Sequence, residues 1–189
     1  MDVPESWVAD VVELCGTAGM PSWLRGGLST SLEPPGVNIS YRLVSGDRVA
    51  EGLPWLNSAY RSAIPELAKS QLGCPYYPSM DVRSGVNINI LEQRGGRYEM
   101  HLDSNPLTAL LFVTSHQAED GGQLLFRTEG GDLLVEPRSG DLLLFDARRT
   151  PHAVLPIKTD RIRITVVMNF YLDAECQDRP DGLDDYLYQ

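Results

Sequence analysis

Residues 120–145 read DGGQLLFRTEGGDLLVEPRSGDLLLF, and the pattern of this segment indicates the fold class. Short apolar segments alternate here with glycine-rich turn signals, and the same pattern extends from about residue 84 to residue 172. Strands joined by glycine turns, with no helical pattern between them, predict an antiparallel sandwich or barrel, and we expect a jelly roll. The predicted strands are Val86–Leu91, Leu107–Thr114, Gln123–Phe126, Leu133–Val135, Leu142–Phe145, Ala153–Leu155 and Ile162–Leu172.

The chain before residue 84 has a different pattern. Apolar side chains recur at three- and four-residue steps over residues 4–15, which predicts a helix. Residues 37–43 alternate as a strand does, and residues 54–72 look helical with an interruption at Pro65. We therefore expect one mostly β domain with flanking helices. Its parts are an N-terminal helical and strand flank (1–83), a β core (84–173) and an acidic C-terminal tail (174–189).

Composition excludes several classes of protein. The 189 residues carry 16 basic and 26 acidic side chains, a net charge of −10, and an acidic surface repels nucleic acid. No apolar run approaches the roughly 18 residues of a membrane span, and the N-terminus lacks the pattern of a signal peptide. Three widely spaced cysteines form neither a disulfide framework nor a CxxC metal site. We expect a cytoplasmic protein without nucleic-acid or membrane partners.

Two histidines and one aspartate suggest a metal site. His101 and Asp103 project to the same side of an extended chain, because residues i and i+2 of a strand share a face. His152 follows much later in the chain. Two imidazoles and one carboxylate on one side of an ion form the facial triad of non-haem Fe(II) oxygenases, which leaves positions open for a cosubstrate and dioxygen.

The start of the last apolar run offers a group for an anion. Arg161 lies nine residues after His152, and Arg161, Arg163 and Thr165 alternate along one face of the predicted strand. A guanidinium can hold a carboxylate through two parallel hydrogen bonds, and a threonine hydroxyl can add a third. This arrangement suits a cosubstrate with a distal carboxylate.

The ordered set of motifs resembles the prolyl 4-hydroxylase-like branch of the 2-oxoglutarate- and Fe(II)-dependent dioxygenases. The resemblance covers about residues 84–173 and includes the spacing of nine residues between His152 and Arg161. The matching elements, in chain order, are Tyr98 to Asp103, Gly121 to Leu124, Val135 to Pro137, Gly140 to Phe145, Arg148 to Val154, and Arg161 with Ile164 to Val166.

The resemblance implies a double-stranded β-helix with His101, Asp103 and His152 as catalytic iron ligands. It implies that Arg161 pairs with the far carboxylate of 2-oxoglutarate, with help from Thr165. The cofactors that it implies are Fe(II) and the cosubstrates 2-oxoglutarate and dioxygen, with ascorbate as a candidate stimulant. Asp103 stands where related halogenases have Gly or Ala, so the resemblance favours hydroxylation of an unactivated C–H bond.

One position departs from this branch of the family. Its members carry a cosubstrate-binding tyrosine ten residues before the first metal histidine, where this chain has Leu91. Asn87 and Asn89 share a strand face with Leu91, so their amides are candidates to replace the phenol, although a solvent-facing position explains them equally well. Asn89 and Tyr98 are candidate cosubstrate contacts, whereas Asn87 and Leu91 are candidate substrate contacts.

Arg163 has no counterpart in the relatives. It is a candidate substrate contact through a substrate carboxylate, a competitor of Arg161 for the cosubstrate, or a residue beyond the rim of the site. Arg148 and Arg149 are expected to be loop charges. His116 lies in a polar turn, where we expect it to be exposed.

The substrate is the least specified part of the prediction. The chain is near the minimum length for this fold and has no attached peptide-binding domain, which favours a free amino acid or small metabolite over a protein. By family analogy, a prolyl hydroxylase acting on a peptide or protein is the alternative. A metal-binding cupin-type module without catalysis is the alternative of another class, and Arg161 argues against it.

Overall fold

A computed structural model describes residues 3–25, 38–177 and 188. Helices are confined to its first half. They are α1 (Trp7–Ala18), α2 (Gly46–Gly52), α3 (Pro54–Ser58), α4 (Ile64–Leu72) and α5 (Val82–Gly85), with a π-helical turn at Ala59–Ala63 between α3 and α4. The predicted interruption at Pro65, with a second helical segment starting there, is confirmed, since a separate helix, α4, begins at Ile64. Pro65 lies in the first turn of α4, where its missing N–H is tolerated, and the widened π turn precedes it.

The strands form two antiparallel sheets. In chain order they are β1 (Met20–Arg25), β2 (Asn38–Val44), β3 (Tyr77–Pro78), β4 (Val86–Leu91), β5 (Tyr98–His101), β6 (Leu107–Phe112), β7 (Leu124–Thr128), β8 (Gly131–Val135), β9 (Leu142–Phe145), β10 (His152–Val154) and β11 (Arg163–Tyr171). The larger sheet has the order β1-β2-β4-β11-β6-β9, and β3 also pairs with β11. The smaller sheet has the order β5-β10-β7-β8.

These two facing sheets confirm the predicted jelly roll, a double-stranded β-helix. The runs Val86–Leu91 and Leu142–Phe145 are strands with the predicted bounds, and the other five predicted strands agree within three residues at each end. Sequence patterning did not predict β1, β3 or β5. β5 escapes the pattern because its residues Glu99 and His101 are polar and yet line an interior cavity.

Two apolar clusters hold the layers together. One lies between the larger sheet and the helices, where Ile88, Val166 and Phe170 are fully buried and Tyr60 packs on Phe170. The other lies between the two sheets and includes Phe112. Burying one large aliphatic or aromatic side chain contributes about 1.5–3 kcal/mol. The helices therefore back the larger sheet and leave the space between the sheets for the site.

The flank predicted for residues 1–83 supplies three strands of the larger sheet, since β1 pairs with β2, β2 pairs with β4 and β3 pairs with β11. The predicted strand over 37–43 corresponds to β2, and its first residue lies outside the described part of the chain. Of the predicted acidic tail, residues 178–187 and 189 also lie outside it. Among the described residues, no helix has the length and hydrophobicity needed to cross a bilayer.

Candidate active site

A cavity of about 190 Å³ opens between the two sheets. Strands of both sheets contribute to its wall, which is polar near the middle of the sandwich. Of the residues singled out from the sequence, the wall includes Asn87, Asn89, Tyr98, His101, Asp103, His152, Arg163 and Thr165. The cavity therefore brings together eight residues that are far apart in the sequence.

The two histidines and the aspartate of the predicted metal site meet in this cavity. His101 and His152 are direct cross-strand partners in the β5–β10 pair, and Asp103 follows β5. The Nε2 atoms of His101 and His152 lie 3.4 and 3.7 Å from Asp103 Oδ1. One candidate ligand atom from each residue lies within 4.8 Å of the other two. Imidazole nitrogens and one carboxylate oxygen in this arrangement suit Fe(II).

Hydrogen bonds orient all three candidate ligands. His101 Nδ1 donates to the Glu99 carbonyl at 2.8 Å, and His152 Nδ1 donates to the Thr150 carbonyl at 3.0 Å. Because a carbonyl can only accept, Nδ1 carries the proton of each neutral ring, and Nε2 is the nitrogen that remains to bind a metal at the centre of the site. Thr108 donates to Asp103 Oδ2 at 2.5 Å and leaves Oδ1 directed at the imidazoles.

The electrostatics of the site favour a cation between these groups. Burial disfavours charge on His101, but its hydrogen bond to Asp103 and the charge of that carboxylate outweigh burial and raise the pKa of His101 to about 9. Burial, together with the neighbouring charge of His101, lowers the pKa of His152 to about 4. Asp103 remains ionised despite its burial, since both imidazoles and Thr108 lower its pKa.

Arg163 is the buried cation of the cavity wall. Only 2% of its surface is exposed, and burial lowers its pKa to about 10. Its Nε donates to the Gly122 carbonyl at 2.8 Å, and its Nη1 donates to Thr165 at 3.2 Å. Among the described residues no carboxylate forms an ion pair with it. A buried charge without a partner is costly, so this guanidinium is suited to receive an anion in the cavity.

Arg161 occupies a different environment. Its side chain is 59% exposed, and its Nη1 donates to Asp120 at 3.1 Å, outside the cavity wall. The expectation that Arg161 shares the inward face of Arg163 is wrong, because β11 begins only at Arg163 and strand alternation does not extend two residues upstream.

Leu91, which stands at the position of the family tyrosine, and the two candidate replacements, Asn87 and Asn89, lie in different environments along β4. Asn89 lies in the cavity wall and directly opposite Thr165 in the β4–β11 pair. Asn87 also reaches the wall, but it donates to the Ser84 carbonyl at 3.1 Å and accepts from Tyr188 at 3.0 Å. Leu91 is buried in the inter-sheet apolar cluster and is not part of the wall. Asn89 is therefore the amide best placed to contact a bound molecule near Arg163.

Tyr98 lies at the edge of the same cavity. Its ring packs edge-to-face on Tyr41 with a centroid distance of 5.0 Å, and both rings contribute to the wall. Tyr98 therefore both lines the cavity and packs against a neighbouring ring.

His116 is completely buried, so the expectation that it is exposed is wrong. Its Nε2 donates to the Ile162 carbonyl at 3.2 Å, close to the start of β11. Its polar sequence neighbours suggested a surface turn, and the local sequence contains no apolar signal of burial. Arg148 and Arg149 are exposed as expected, and Arg148 donates to the Ser104 carbonyl.

Sequence reasoning missed several polar residues of the wall. Thr108 holds Asp103, and Asn105 donates to Thr108 at 2.9 Å. Glu99 brings a buried carboxylate to the wall. The one available signal was position, because Asn105 and Thr108 lie two and five residues after the end of the HxD triplet.

Comparisons with known proteins agree with this geometry. Residues 86–171 match the model of the 2OG-Fe(II) oxygenase superfamily. No curated protein matches the chain. Several solved structures share its fold at low sequence identity.

One is a 2OG-Fe(II) oxygenase family oxidoreductase from Burkholderia pseudomallei, with a TM-score of 0.68 and 14% identity over 93% of this chain and 84% of that one. Another is the epimerase SnoN in complex with Fe3+, alpha ketoglutarate and nogalamycin RO. Its TM-score is 0.66 at 18% identity, over 95% of this chain and 79% of that one. A third is a Trichoplax adhaerens prolyl hydroxylase in complex with a peptide of the hypoxia inducible factor. Its TM-score is 0.63 at 22% identity, over 87% of this chain and 76% of that one.

The family match spans β4 to β11 and contains all three candidate metal ligands, Arg163 and Thr165. Over residues 86–171 the chain therefore matches the 2OG-Fe(II) oxygenase superfamily, an enzyme class whose cofactors are Fe(II), 2-oxoglutarate and dioxygen, and the matched segment contains the three residues that could hold the metal.

Proposed function

We propose that this oxygenase hydroxylates an unactivated C–H bond of a small polar molecule, with His101, Asp103 and His152 as its iron ligands. The observation that carries the proposal is a buried arginine that pairs with no carboxylate in the described part of the chain and lies in the same cavity as a two-histidine, one-carboxylate cluster. Each feature suits one of the two groups that the enzyme class requires, a metal ion and a dicarboxylate.

The cluster is proposed to hold the metal in one orientation. The carbonyls of Glu99 and Thr150 fix the tautomer of the two imidazoles, and Thr108 fixes the carboxylate. Ligands held in this way lose little conformational freedom when a metal binds. Bound iron, with 2-oxoglutarate and dioxygen, supplies the oxidising chemistry, and the protein supplies orientation and exclusion of water.

Arg163, rather than Arg161, is proposed to bind the distal carboxylate of 2-oxoglutarate. Thr165 bonds the same guanidinium and lies beside Asn89 in the neighbouring strand, so three donors surround one position of the cavity. Asn89 would thereby take the place of the family phenol. Arg161 is engaged with Asp120 outside the cavity and is proposed to hold the loop before β11 in place.

The charges of the wall bear on the substrate. Among the described residues Arg163 is the single cation of the wall, while Glu99 adds a carboxylate beyond the metal cluster. With Arg163 assigned to the cosubstrate, no guanidinium or ammonium is left for a substrate carboxylate. The other polar groups are amides and hydroxyls, such as those of Ser84, Asn105 and Asn169. We therefore propose a neutral or cationic small molecule, a change from the amino-acid carboxylate contact considered for Arg163.

Coupled turnover tests this proposal. The purified protein is incubated with Fe(II), 2-oxoglutarate and one candidate at a time, and succinate and oxidised product are measured by mass spectrometry. The panel contains amines, polyols, free amino acids, carboxylic acids and proline-containing peptides of several residues. We expect product from the amine or polyol group. Turnover of carboxylic acids alone would refute the charge argument, and turnover of the peptides alone would favour the peptidyl alternative.

A further inference from the structure

On the side facing β6, the backbone hydrogen bonds of β11 end at Ile164, whose carbonyl accepts from the Val113 N–H at 3.0 Å, and side chains hold the chain just before that point. Because β6 ends at Phe112, Thr165 is the first residue of β11 that has a β6 partner in register. Just before it, the Ile164 N–H donates to the Thr114 hydroxyl at 2.9 Å. One residue before Arg163, the Ile162 carbonyl accepts from His116 Nε2 at 3.2 Å.

The hydrogen-bond partner sets the protonation state of His116. A carbonyl acceptor requires a proton on Nε2, so Nδ1 of the neutral ring carries a lone pair, and it has no hydrogen-bond partner among the described residues. Burial and the charges of Arg163 and Arg161 oppose a second proton, although Asp120 favours one, and together they lower the pKa of His116. The ring is therefore a neutral donor at physiological pH.

His116 and Arg163 also meet across one glycine. A Cβ placed on Gly122 would lie 3.0 Å from Arg163 Cδ and 3.4 Å from His116 Nδ1. The Gly122 carbonyl accepts from Arg163 Nε at 2.8 Å. His116 thus fixes the peptide that leads into Arg163, and the glycine backbone fixes the guanidinium itself.

We propose that His116 is a positioning residue that sets where the Arg163 guanidinium meets the distal carboxylate of 2-oxoglutarate. This inference rests on the proposed function of Arg163. Without the donated hydrogen bond, no described group on the β6 side would hold the Ile162 carbonyl, and the guanidinium would be presented over a wider range of positions.

Two substitutions at this position separate donation from packing. His116→Leu keeps the volume and removes the donor, whereas His116→Gln keeps an N–H at the reach of Nε2. We expect His116→Leu to weaken the binding of 2-oxoglutarate to Mn(II)-loaded protein about three- to tenfold, the effect of one hydrogen bond, measured by calorimetry. The turnover number at saturating 2-oxoglutarate should stay within about twofold of wild type, because the ligand remains correctly placed once bound. The Gln variant should restore most of the affinity.

Tyr60→Phe is the matched control, since Tyr60 donates to the carbonyl of Asn169 at the other end of β11. Its affinity for 2-oxoglutarate should equal that of wild type. Equal affinity of wild type and His116→Leu would refute the positioning role and leave the proposed function intact. Failure of the wild type to bind 2-oxoglutarate would refute both.

A measurement on the wild-type chain tests the inference even if His116→Leu does not fold. Long-range ¹H–¹⁵N spectra of Zn(II)-loaded protein should identify His116 as the Nε2–H tautomer, with a resonance that moves when 2-oxoglutarate is added. An Nδ1–H tautomer, or a resonance that 2-oxoglutarate leaves unchanged, would overturn the inference.

Discussion

Replacing Arg163 with methionine should strongly weaken the binding of 2-oxoglutarate while changing the stability of the free protein little. Methionine keeps most of the unbranched stem and removes the charge. Loss of a buried, charge-assisted contact costs about 2–5 kcal/mol of binding free energy. At about 1.4 kcal/mol per tenfold, the dissociation constant should rise between about 30-fold and several thousandfold.

The stability of the same variant depends on two opposing terms, the cost of the buried charge that is removed and the hydrogen bond that is lost. The fall of its pKa from 12.5 to about 10 corresponds to roughly 3 kcal/mol of disfavoured charge, at about 1.4 kcal/mol per pH unit. Against this gain, the substitution leaves the Gly122 carbonyl without its donor, which costs about 1–3 kcal/mol when the group is buried. The terms nearly cancel, so the free energy of unfolding should change by less than about 1–2 kcal/mol.

Calorimetry on Mn(II)-loaded protein measures the affinity, and urea denaturation of the metal-free protein measures the stability. Arg161→Met is the matched control, because it removes an arginine that lies outside the cavity and is 59% exposed, while its buried partner Asp120 keeps the hydrogen bonds donated by the Gln117 N–H and the Thr159 hydroxyl. Its dissociation constant should stay within about twofold of wild type. The reasoning would be refuted if Arg161→Met weakened 2-oxoglutarate binding more than Arg163→Met, since the two arginines would then have exchanged roles.

Further predictions concern the metal, the glycine beneath Arg163 and the thiols. His152→Ala should weaken Co(II) binding, followed by visible absorption, by more than the roughly 10–100-fold typical of losing an outer-sphere partner, and unchanged affinity would exclude His152 as a ligand. Gly122→Ala should lower the free energy of unfolding by about 1–3 kcal/mol, because φ is +77° and the new Cβ would lie 2.7 Å from Ile157 Cδ1. Iodoacetamide at pH 8 should alkylate exposed Cys176 and spare Cys15, whose pKa burial raises to about 12, and peptide mapping that finds Cys15 labelled in folded protein would contradict this.

Sequence patterning predicted β4, β6 and β11 because these strands are mostly buried on both faces. In β4 the run Val86–Leu91 is almost wholly buried, so an uninterrupted apolar stretch bounded by turns marks the strand. The same rule fails for β5, where the polar residues Glu99 and His101 line the cavity. A strand that serves the site loses the apolar pattern by which strands are recognised.

The change of the proposed cosubstrate contact from Arg161 to Arg163 has a different origin. Arg161 and Arg163 have the same charge and the same alternation, so periodicity cannot distinguish them. What distinguishes them is the residue at which β11 begins and the presence of Asp120, from a distant turn, beside Arg161. His116 was mispredicted for the same reason, since its burial depends on the contact between two loops and not on its neighbours in sequence. The roles of the metal ligands and of Arg163 stay predictions until binding is measured.

The distribution of the site over the two sheets has a mechanical consequence. His101 and His152 belong to the smaller sheet, whereas Arg163, Thr165 and Asn89 belong to the larger one. In the proposed complex, one end of 2-oxoglutarate binds the metal on the smaller sheet and the other end binds the Arg163 guanidinium on the larger sheet. The bound molecule therefore links the two sheets through the middle of the sandwich. Binding of 2-oxoglutarate should therefore slow amide hydrogen exchange in β10 and in the first half of β11 together. The two sheets should become more rigid as one unit before any substrate binds.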